Sequence, residues 1–219
     1  MSIRVGINGF GRIGRSFTRA ILARGLMDDV TLAAINDPFG DSDVMAFLLK
    51  HDSVGGTLEH RIAATSSGLD VDGFSITKFE KKDPAAIDWK AAGVDIVIES
   101  TGLFTSREAA AAHLSGGAKK VIISAPSPDA DATICMGVND EVYSRKDHDV
   151  ISNASCTTNC LAPLAKVLDG ALGIQSGFMA TVHAYTSDQQ LQDMAAASRK
   201  GKADVRRMRA AALSIIPSS

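Results

Sequence analysis

Short runs of apolar, often β-branched residues alternate along the first half of the chain with segments of helical spacing. The runs cover residues 3–7, 30–35, 94–98 and 120–124. Between the first two, Ile13, Phe17 and Ile21 recur as on one face of a helix. Further helices are predicted over residues 42–49 and 105–114. This alternation predicts an α/β fold built on a Rossmann-type parallel sheet.

The spacing changes between residues 56 and 79. Short strands are predicted there over residues 57–62, 69–71 and 74–78. Asp72-Gly73, between the last two, is a hairpin turn signal. We interpret this stretch as an antiparallel insertion that carries no chemistry.

A glycine pattern follows the first predicted strand at once and opens the first predicted helix. Gly9 would allow a tight turn, Gly11 would let the backbone approach a pyrophosphate, and Gly14 would let helix and strand pack closely. The helix N-terminus would then face the phosphates of a dinucleotide. The pattern predicts a nucleotide-binding cleft.

The ends of the other strands carry polar residues suited to the same cleft. Asp37 follows the second strand, where a carboxylate can bond both ribose hydroxyls of NAD and would repel the extra phosphate of NADP. We therefore predict NAD as the cofactor, against the alternative that Asp37-Pro38 only opens a turn. Further candidates at strand ends are Ser100, Thr101, Gly102 and Ser124, although cap and loop chemistry explains Ser124 equally well.

The second half centres on a cysteine at a predicted helix start. A strand over 149–151 precedes Ser155, which can cap a helix whose apolar positions continue through Leu161 and Leu164. Cys156 would lie in the first turn, where the helix dipole favours a thiolate. A further strand over 177–182 would end at His183, which could serve as its base. A thiolate beside a nicotinamide suggests oxidation of an aldehyde through a thioester.

Composition and charge narrow the class of protein. The 219 residues are 45% hydrophobic and 22% charged, with a net charge of −2. This balance argues against nucleic acid or an anionic membrane as the main partner. The N-terminal residues predict no signal peptide, and no apolar run predicts a membrane span. Three cysteines do not suggest a disulfide framework. We expect a cytoplasmic protein.

The remaining cysteines and histidines predict no metal site. Cys160 follows Cys156 by one helical turn, but two ligands are too few for a metal. Cys135 is predicted to pack in the core. The histidines in polar surroundings, predicted to be solvated, are His51, His60, His113 and His148.

Several segments together resemble the phosphorylating glyceraldehyde-3-phosphate dehydrogenases. They cover residues 8–14, 35–39, 99–102, 123–126, 152–163 and 181–186. The Ser-Cys-Thr-Thr-Asn-Cys sequence over 155–160 is highly specific, and the resemblance extends over essentially the whole chain. It implies a homotetramer that oxidises glyceraldehyde 3-phosphate with NAD and inorganic phosphate, as in glycolysis.

The resemblance also implies individual roles. Cys156 would be the acylated nucleophile, with His183 as base and oxyanion partner and the Cys156 N–H completing the oxyanion site. Arg12 and Ile13 would meet the pyrophosphate. The phosphate-binding positions would be Ser155, Thr157 and Arg207 for inorganic phosphate and Thr186 for the substrate phosphate. Cys160 would be structural, and a bridge to Cys156 would be an inactivating side reaction.

By the same resemblance, residues 1–152 form an NAD-binding domain and residues 153–219 the first part of an α+β catalytic domain. The rest of that domain would be missing, so we expect the chain alone to be nearly inactive. The loop over residues 190–203 also looks longer than the family's usual loop.

Three alternatives remain. An erythrose-4-phosphate dehydrogenase shares the cysteine motif, although the sequence around His183 argues against it. A non-catalytic NAD-binding or interaction module would use Lys200, Lys202, Arg206 and Arg207 as a basic patch. A thiol hydrolase would leave the nucleotide-binding pattern unexplained.

Overall fold

The computed structural model describes residues 2–195 and 204–217. Two compact units are present, Met1–Gly173 and Ile174–Ser219. The predicted domain boundary after residue 152 remains a prediction.

The first unit contains eleven strands and four α-helices within the described residues. The strands are β1 (Ile3–Asn8), β2 (Val30–Asn36), β3 (His51–Asp52), β4 (Gly56–Thr57), β5 (Ile62–Thr65), β6 (Gly68–Val71), β7 (Phe74–Phe79), β8 (Ile96–Glu99), β9 (Lys120–Ile123), β10 (Ala132–Thr133) and β11 (Val150–Ser152). The helices are α1 (Arg12–Ala23), α2 (Ser42–Lys50), α3 (Arg107–Ser115) and α4 (Cys156–Leu172).

Nine of these strands form one sheet in the order β10-β11-β9-β8-β1-β2-β7-β6-β5. Neighbours from β10 to β7 are parallel, and β7-β6-β5 are antiparallel. The predicted α/β class with an antiparallel insertion is thereby confirmed. The insertion extends the main sheet, because β7 pairs with β2 on one side and with β6 on the other.

One predicted strand of the insertion is wrong in its extent. Only Thr57 and Ile62, at the two ends of the predicted 57–62 strand, lie in strands. The Leu58 N–H instead donates to the Lys50 carbonyl at 2.9 Å. This bond holds the segment against the end of α2 rather than in a ladder.

Apolar packing joins the sheet to its helices. One cluster includes Ile7 and Ile35 from the central strands and Leu49 from α2, all fully buried. Burial of each such side chain stabilises the fold by about 1.5–3 kcal/mol. A second cluster is built around Trp89 and Val97, also fully buried. The central strands are thus held rigidly, and their ends can position a site.

Two predictions about polar or thiol side chains have different outcomes. Cys135 is 5% exposed and packs in the core, as predicted. His113 was predicted to be solvated, and this is wrong, because its side chain is fully buried on α3. Helix α3 is alanine-rich, and its spacing alone does not reveal that Trp89 and Glu99 provide polar partners inside the core.

The helix with apolar positions predicted after Ser155 is present as α4, but none of its residues is buried. Leu164 and Val167 are among the exposed apolar side chains. Gly173, with a positive φ of 73°, follows the last turn.

The second unit lacks the predicted 177–182 strand, and this prediction is wrong for the described residues. Phe178 and Val182 are almost fully exposed. A strand is stable only when a neighbour completes its backbone hydrogen bonds, and no described segment pairs with this one. Of the loop predicted over 190–203, residues 196–203 lie outside the described part.

Candidate active site

A cleft of about 360 Å³ opens at the carboxyl ends of β1, β2 and β8. Ligands bind at this edge in open α/β sheets. The cleft is lined by Asn8, Gly9, Gly11, Asn36, Asp37, Pro38, Phe39, Lys81, Lys82, Ser100, Thr101, Leu103 and Phe104. Five residues predicted to bind the cofactor are therefore brought together: Gly9, Gly11, Asp37, Ser100 and Thr101.

The three glycines of the turn differ in what surrounds them. Gly9 has a φ of +90°, and a Cβ there would lie 2.8 Å from the Thr101 nitrogen. A Cβ on Gly14 would lie 2.4 Å from the Gly9 carbonyl oxygen, which agrees with close helix–strand packing. A Cβ on Gly11 would meet nothing within 4 Å. Gly11 thus leaves room in the cleft for a ligand.

Helix α1 begins at the same point without a side-chain cap among the described residues. Its first-turn N–H groups, from Arg12 to Gly14, have no acceptor inside the helix. Ile13 is half exposed at this end, and Gly14 is buried beneath it. An uncapped helix start beside Gly11 suits a pyrophosphate.

The Arg12 side chain forms an ion pair with Asp52. The Asp52 carboxylate also accepts from the Gly55 and Val54 N–H groups. These backbone bonds, followed by the bond from Arg12, lower the pKa of Asp52 to about 2. In this arrangement the Arg12 guanidinium is committed to Asp52, so any contact of Arg12 with a pyrophosphate would come from its backbone.

Asp37 lines the cleft at the end of β2 with a fixed carboxylate. One oxygen accepts from the Phe10 N–H at 2.9 Å, and the other accepts from the Phe39 N–H at 3.0 Å. A carboxylate oxygen has two acceptor sites, so each can also accept from a ribose hydroxyl. The backbone therefore orients Asp37 without consuming its capacity to bind.

Lys81 and Lys82 also line the cleft, and the sequence interpretation missed them. They follow β7, which was assigned to an insertion without chemistry. Because β7 pairs in parallel with β2, its carboxyl end reaches the edge where Asp37 lies. The signal that could have revealed them is a pair of lysines that begins two residues after the last residue of a strand of the sheet.

The segment after β8 forms another wall of the cleft. The Ser100 hydroxyl donates to the Gly9 carbonyl at 2.7 Å, which ties this wall to the glycine turn. Gly102 has a φ of +70° and turns the chain, but it does not line the cleft. Ser124 does not line it either, and its N–H donates to the Glu99 carbonyl at 2.9 Å.

Cys156 is the first residue of α4 and is exposed. The Ser155 hydroxyl accepts from the Thr158 N–H at 2.9 Å, the capping bond predicted from the sequence. Thr157 lies in the same turn, half-buried. Cys160 is exposed one turn further along, and no disulfide joins it to Cys156. The cap thus holds the first turn of α4, the turn that contains Cys156.

Ala154, just before the cap, was not singled out from the sequence. It is buried and has a φ of +60°, which is unusual for a residue with a side chain. Its N–H donates to the Ser152 hydroxyl at 3.1 Å. This strained residue turns the chain from β11 into α4 and sets the start of the helix.

The second unit contains the other predicted catalytic residues. The His183 Nδ1 lies 2.6 Å from the Ala184 carbonyl oxygen, so Nδ1 carries the proton and donates it. In the neutral ring Nε2 then holds the lone pair, as a general base requires. His183 is exposed. Cys156 lies in the first unit and His183 in the second.

Two predicted phosphate-binding residues converge on one carboxylate in the second unit. The Thr186 hydroxyl donates to Asp188, and the Arg207 guanidinium pairs with Asp188 at 2.8 Å. A hydroxyl and a guanidinium that share an acidic partner have the donor chemistry that binds a phosphate. The structure thus brings Thr186 and Arg207 together.

The described residues contain no group of three or more potential ligands that could hold a metal ion. Among the helices of the same part of the chain, none has the length and apolar character to cross a membrane.

Comparison with known proteins identifies the family. The family model described as "Glyceraldehyde 3-phosphate dehydrogenase, NAD binding domain" matches residues 3–107, and the C-terminal domain of the same family matches residues 155–219. Glyceraldehyde-3-phosphate dehydrogenase from Streptomyces coelicolor is 52% identical over 219 residues. Glyceraldehyde-3-phosphate dehydrogenase 1 from Bacillus subtilis and the protein from Geobacillus stearothermophilus are also 52% identical.

These alignments cover the whole chain but only 62% of each relative, so the chain spans about three fifths of the length of the curated relatives it matches. The resemblance inferred from the sequence motifs is confirmed, as is NAD as the cofactor of the matched domain. The cleft agrees with this cofactor, since Gly11 leaves it open and Asp37 provides an oriented carboxylate. The chain belongs to the glyceraldehyde 3-phosphate dehydrogenase family, and its first part is that family's NAD-binding domain.

Proposed function

We propose that the chain is the NAD-binding and nucleophile-bearing part of a phosphorylating glyceraldehyde-3-phosphate dehydrogenase. The reaction is the oxidation of glyceraldehyde 3-phosphate with uptake of inorganic phosphate, giving 1,3-bisphosphoglycerate. The observation that carries the proposal is the exposed Cys156 at the capped start of α4, on a chain that also forms the Gly9–Gly11 cleft. A nucleotide-binding module without catalysis would not require this thiol.

The first step is attack by the Cys156 thiolate on the aldehyde carbon. A sulfur–carbon bond forms, and the carbonyl electron pair moves to oxygen, where the Cys156 N–H at the helix start stabilises the charge. His183 Nε2, which takes the proton of the Cys156 thiol, donates it to that oxygen and gives a thiohemiacetal. His183 then removes the hydroxyl proton through Nε2 while the carbon loses hydride, and a thioester remains. Bound NAD supplies the hydride acceptor.

Inorganic phosphate then attacks the thioester carbon. The carbon–sulfur bond breaks, the acyl phosphate leaves, and the thiolate of Cys156 is restored. We assign Ser155, Thr157 and Arg207 to the attacking phosphate and Thr186 to the phosphate of the substrate, because their hydroxyl and guanidinium groups donate to phosphate oxygens. For Thr186 and Arg207, phosphate would replace the Asp188 carboxylate as acceptor.

The remaining cofactor-binding assignments belong to the same proposal. We assign the backbone of Arg12, Ile13 and Gly14 to the pyrophosphate, Asp37 to the adenosine ribose, and Ser100 and Thr101 to the cleft wall. Gly102 and Ser124, which do not line the cleft, receive no contact with the cofactor in this proposal. The homotetramer implied by the resemblance is part of the proposal as well. The cytoplasmic location remains a prediction.

The activated thiol is tested by competitive alkylation with limiting iodoacetate, followed by peptide mapping. Cys160 is a matched internal control, because it is also exposed and lies one turn further along the same helix. We expect Cys156 to be carboxymethylated at least tenfold faster than Cys160, and Ser replacement of Cys156 to abolish the fast phase. Equal rates at the two cysteines would contradict the assignment of Cys156 as nucleophile.

A further inference from the structure

A buried polar network lies behind the wall of the NAD cleft and has no role in the chemistry proposed above. Its centre is Glu99, the last residue of β8, which is 1% exposed. Its other buried members are His113, which is fully buried, and Asn8 and Asn36, each 2% exposed. A buried carboxylate destabilises the fold unless both of its oxygens accept hydrogen bonds, so the partners of Glu99 must satisfy it.

Both oxygens of Glu99 accept two hydrogen bonds. Oε1 accepts from the backbone N–H of Thr101 at 2.8 Å and from the Thr101 hydroxyl. Oε2 accepts from Asn8 Nδ2 at 2.6 Å and from His113 Nε2 at 2.9 Å. Asn8 and Thr101 line the cleft, whereas Glu99 and His113 do not. Glu99 thus joins two cleft residues from behind.

Trp89 fixes the protonation of His113. The indole Nε1 can only donate, and it lies 3.1 Å from His113 Nδ1. Nδ1 must therefore accept, so the ring proton is on Nε2 and is donated to Glu99. A doubly protonated imidazole would place two N–H groups against each other at Trp89. The pair is accordingly a neutral imidazole that donates to a carboxylate.

The same network reaches the opposite wall of the cleft. Asn36 Nδ2 donates to Asn8 Oδ1 at 2.7 Å, which fixes the orientation of the Asn8 amide. Asn36 also exchanges two bonds with the backbone of Lys81, donating at 2.9 Å and accepting at 2.8 Å. On the first wall, the Thr101 hydroxyl accepts from the Leu103 N–H at 3.0 Å. One continuous set of bonds therefore holds both Leu103 and Lys81.

We propose that Glu99, oriented by His113 and Trp89, is a positioning residue that sets the shape of the NAD cleft and thereby its affinity. The proposal rests on the cofactor assignment made above. Glu99 acts through Thr101 and Asn8, whose donor groups its two carboxyl oxygens hold at the cleft.

Replacement of Glu99 by Gln tests this requirement with almost no change in shape. The Gln amide has one oxygen and one NH₂ group. If the NH₂ group takes the Oε1 place, it faces the Thr101 N–H, and if it takes the Oε2 place, it faces N–H donors of Asn8 and His113. In either orientation donors oppose donors, and one side of the network must move.

The experiment measures NAD affinity by calorimetric titration of the 219-residue chain, with amide hydrogen exchange at Thr101 as a second readout. For E99Q we expect at least tenfold weaker NAD binding and faster exchange of the Thr101 N–H. V121A is the control, because Val121 is equally buried in the neighbouring strand β9 but outside the network. We expect V121A to lower the melting temperature and to keep NAD affinity within twofold of the wild type.

Trp89→Phe provides a second test if E99Q does not fold. It keeps an aromatic ring but removes the N–H that holds the His113 tautomer, and we expect at least threefold weaker NAD binding. ¹⁵N NMR of the wild-type chain should show the His113 proton on Nε2, and a proton on Nδ1 would overturn the proposal. So would NAD affinity within twofold together with unchanged Thr101 exchange in a folded variant.

The two proposals fail in distinguishable ways. If the wild-type chain does not bind NAD, the cofactor assignment fails, and with it the proposed effect of Glu99 on affinity. If the wild type binds NAD and E99Q binds it equally well, only the positioning role of Glu99 fails.

Discussion

Asp52 is the residue whose charge couples the first helix to the loop after α2. Its carboxylate accepts from Gly55 and Val54 and pairs with Arg12 on α1. Since these contacts favour the ionised form, the pKa in the folded chain is lowered from 3.8 to about 2. The stabilisation is present above the unfolded pKa and is lost as the pH falls through that interval.

We expect D52N to be less stable than the wild type at neutral pH, with the difference shrinking between pH 3.8 and about 2. Thermal unfolding followed by circular dichroism from pH 2 to 7 would measure this difference. D29N removes an exposed carboxylate and serves as the charge-matched control. A constant difference between D52N and wild type across the whole pH range would show that the Asp52 charge has no such role.

Some residues of the site could be predicted from the sequence and others could not. The tight turn at Gly9, the close packing at Gly14 and the place of Asp37 at the cleft could be predicted from local spacing, because a strand, a tight turn and a helix follow each other directly. The burial of His113 could not, because its partner Glu99 comes from another strand. Lys81 was missed for a related reason, since its position depends on how β7 pairs.

At the scale of elements, the glycine turn and α1 offer a matched pair of substitutions. Gly14→Ala places a Cβ 2.4 Å from the Gly9 carbonyl oxygen, so we expect a loss of about 1–3 kcal/mol in unfolding free energy. Gly11→Ala places its Cβ in open space, and we expect stability to stay within about 1 kcal/mol of the wild type.

Comparison of Gly14→Ala with Gly11→Ala should distinguish an effect on stability from an effect on NAD affinity. Gly11 lines the cleft, and a methyl group there would meet no protein atom within 4 Å. We therefore expect NAD affinity of Gly11→Ala to fall tenfold or more although the fold persists. Urea unfolding and NAD titration of both variants would measure the two effects. Stable G11A protein that binds NAD like the wild type would indicate that the cofactor does not approach this turn.

The start of helix α4 can be tested in the same way. S155A removes the acceptor of the Thr158 N–H, which should cost about 1 kcal/mol and fray the turn that contains Cys156. S155N keeps a capping side chain and should retain most of the stability. We expect alkylation of Cys156 to slow in S155A and to be largely restored in S155N. Identical alkylation in all three proteins would mean that the cap does not influence the thiol.

Strands that their own composition identifies were predicted correctly, whereas the strand whose formation depends on a second strand elsewhere in the chain was not. Most residues of the apolar runs that became β1, β2, β8 and β9 are buried or half-buried, so their composition identifies them. The stretch over 177–182 has a similar composition but no partner strand among the described residues. A backbone ladder needs two strands, and one strand's sequence does not say whether the second is present.

At the scale of the whole chain, the first unit has a nine-stranded sheet, whereas α4 exposes its apolar positions. Among the described residues, the segment before His183 pairs with no other strand. Catalysis requires the base to be held in place relative to the nucleophile. We therefore expect the 219-residue chain to bind NAD but to show little or no steady-state turnover of glyceraldehyde 3-phosphate.

NADH formation at 340 nm, assayed with glyceraldehyde 3-phosphate and phosphate, would measure that turnover. The dye 8-anilinonaphthalene-1-sulfonate should fluoresce more strongly with this chain than with a full-length relative, because the apolar positions of α4 are exposed. Turnover at the rate of such a relative would contradict the expectation.

We assign the cleft at the ends of β1, β2 and β8 as the NAD site on which the proposed function depends. Asp37 is fixed there by two backbone hydrogen bonds and should repel the 2′-phosphate of NADP. Lys81 and Lys82 also line the cleft and could attract that phosphate. Because their side chains are long and flexible, we expect the repulsion by the fixed Asp37 carboxylate to be the larger effect. Calorimetric titration of the chain with NAD and with NADP tests the claim directly. We expect one NAD per chain and at least tenfold weaker binding of NADP. A chain that does not bind NAD, or that binds both dinucleotides equally, would contradict this assignment.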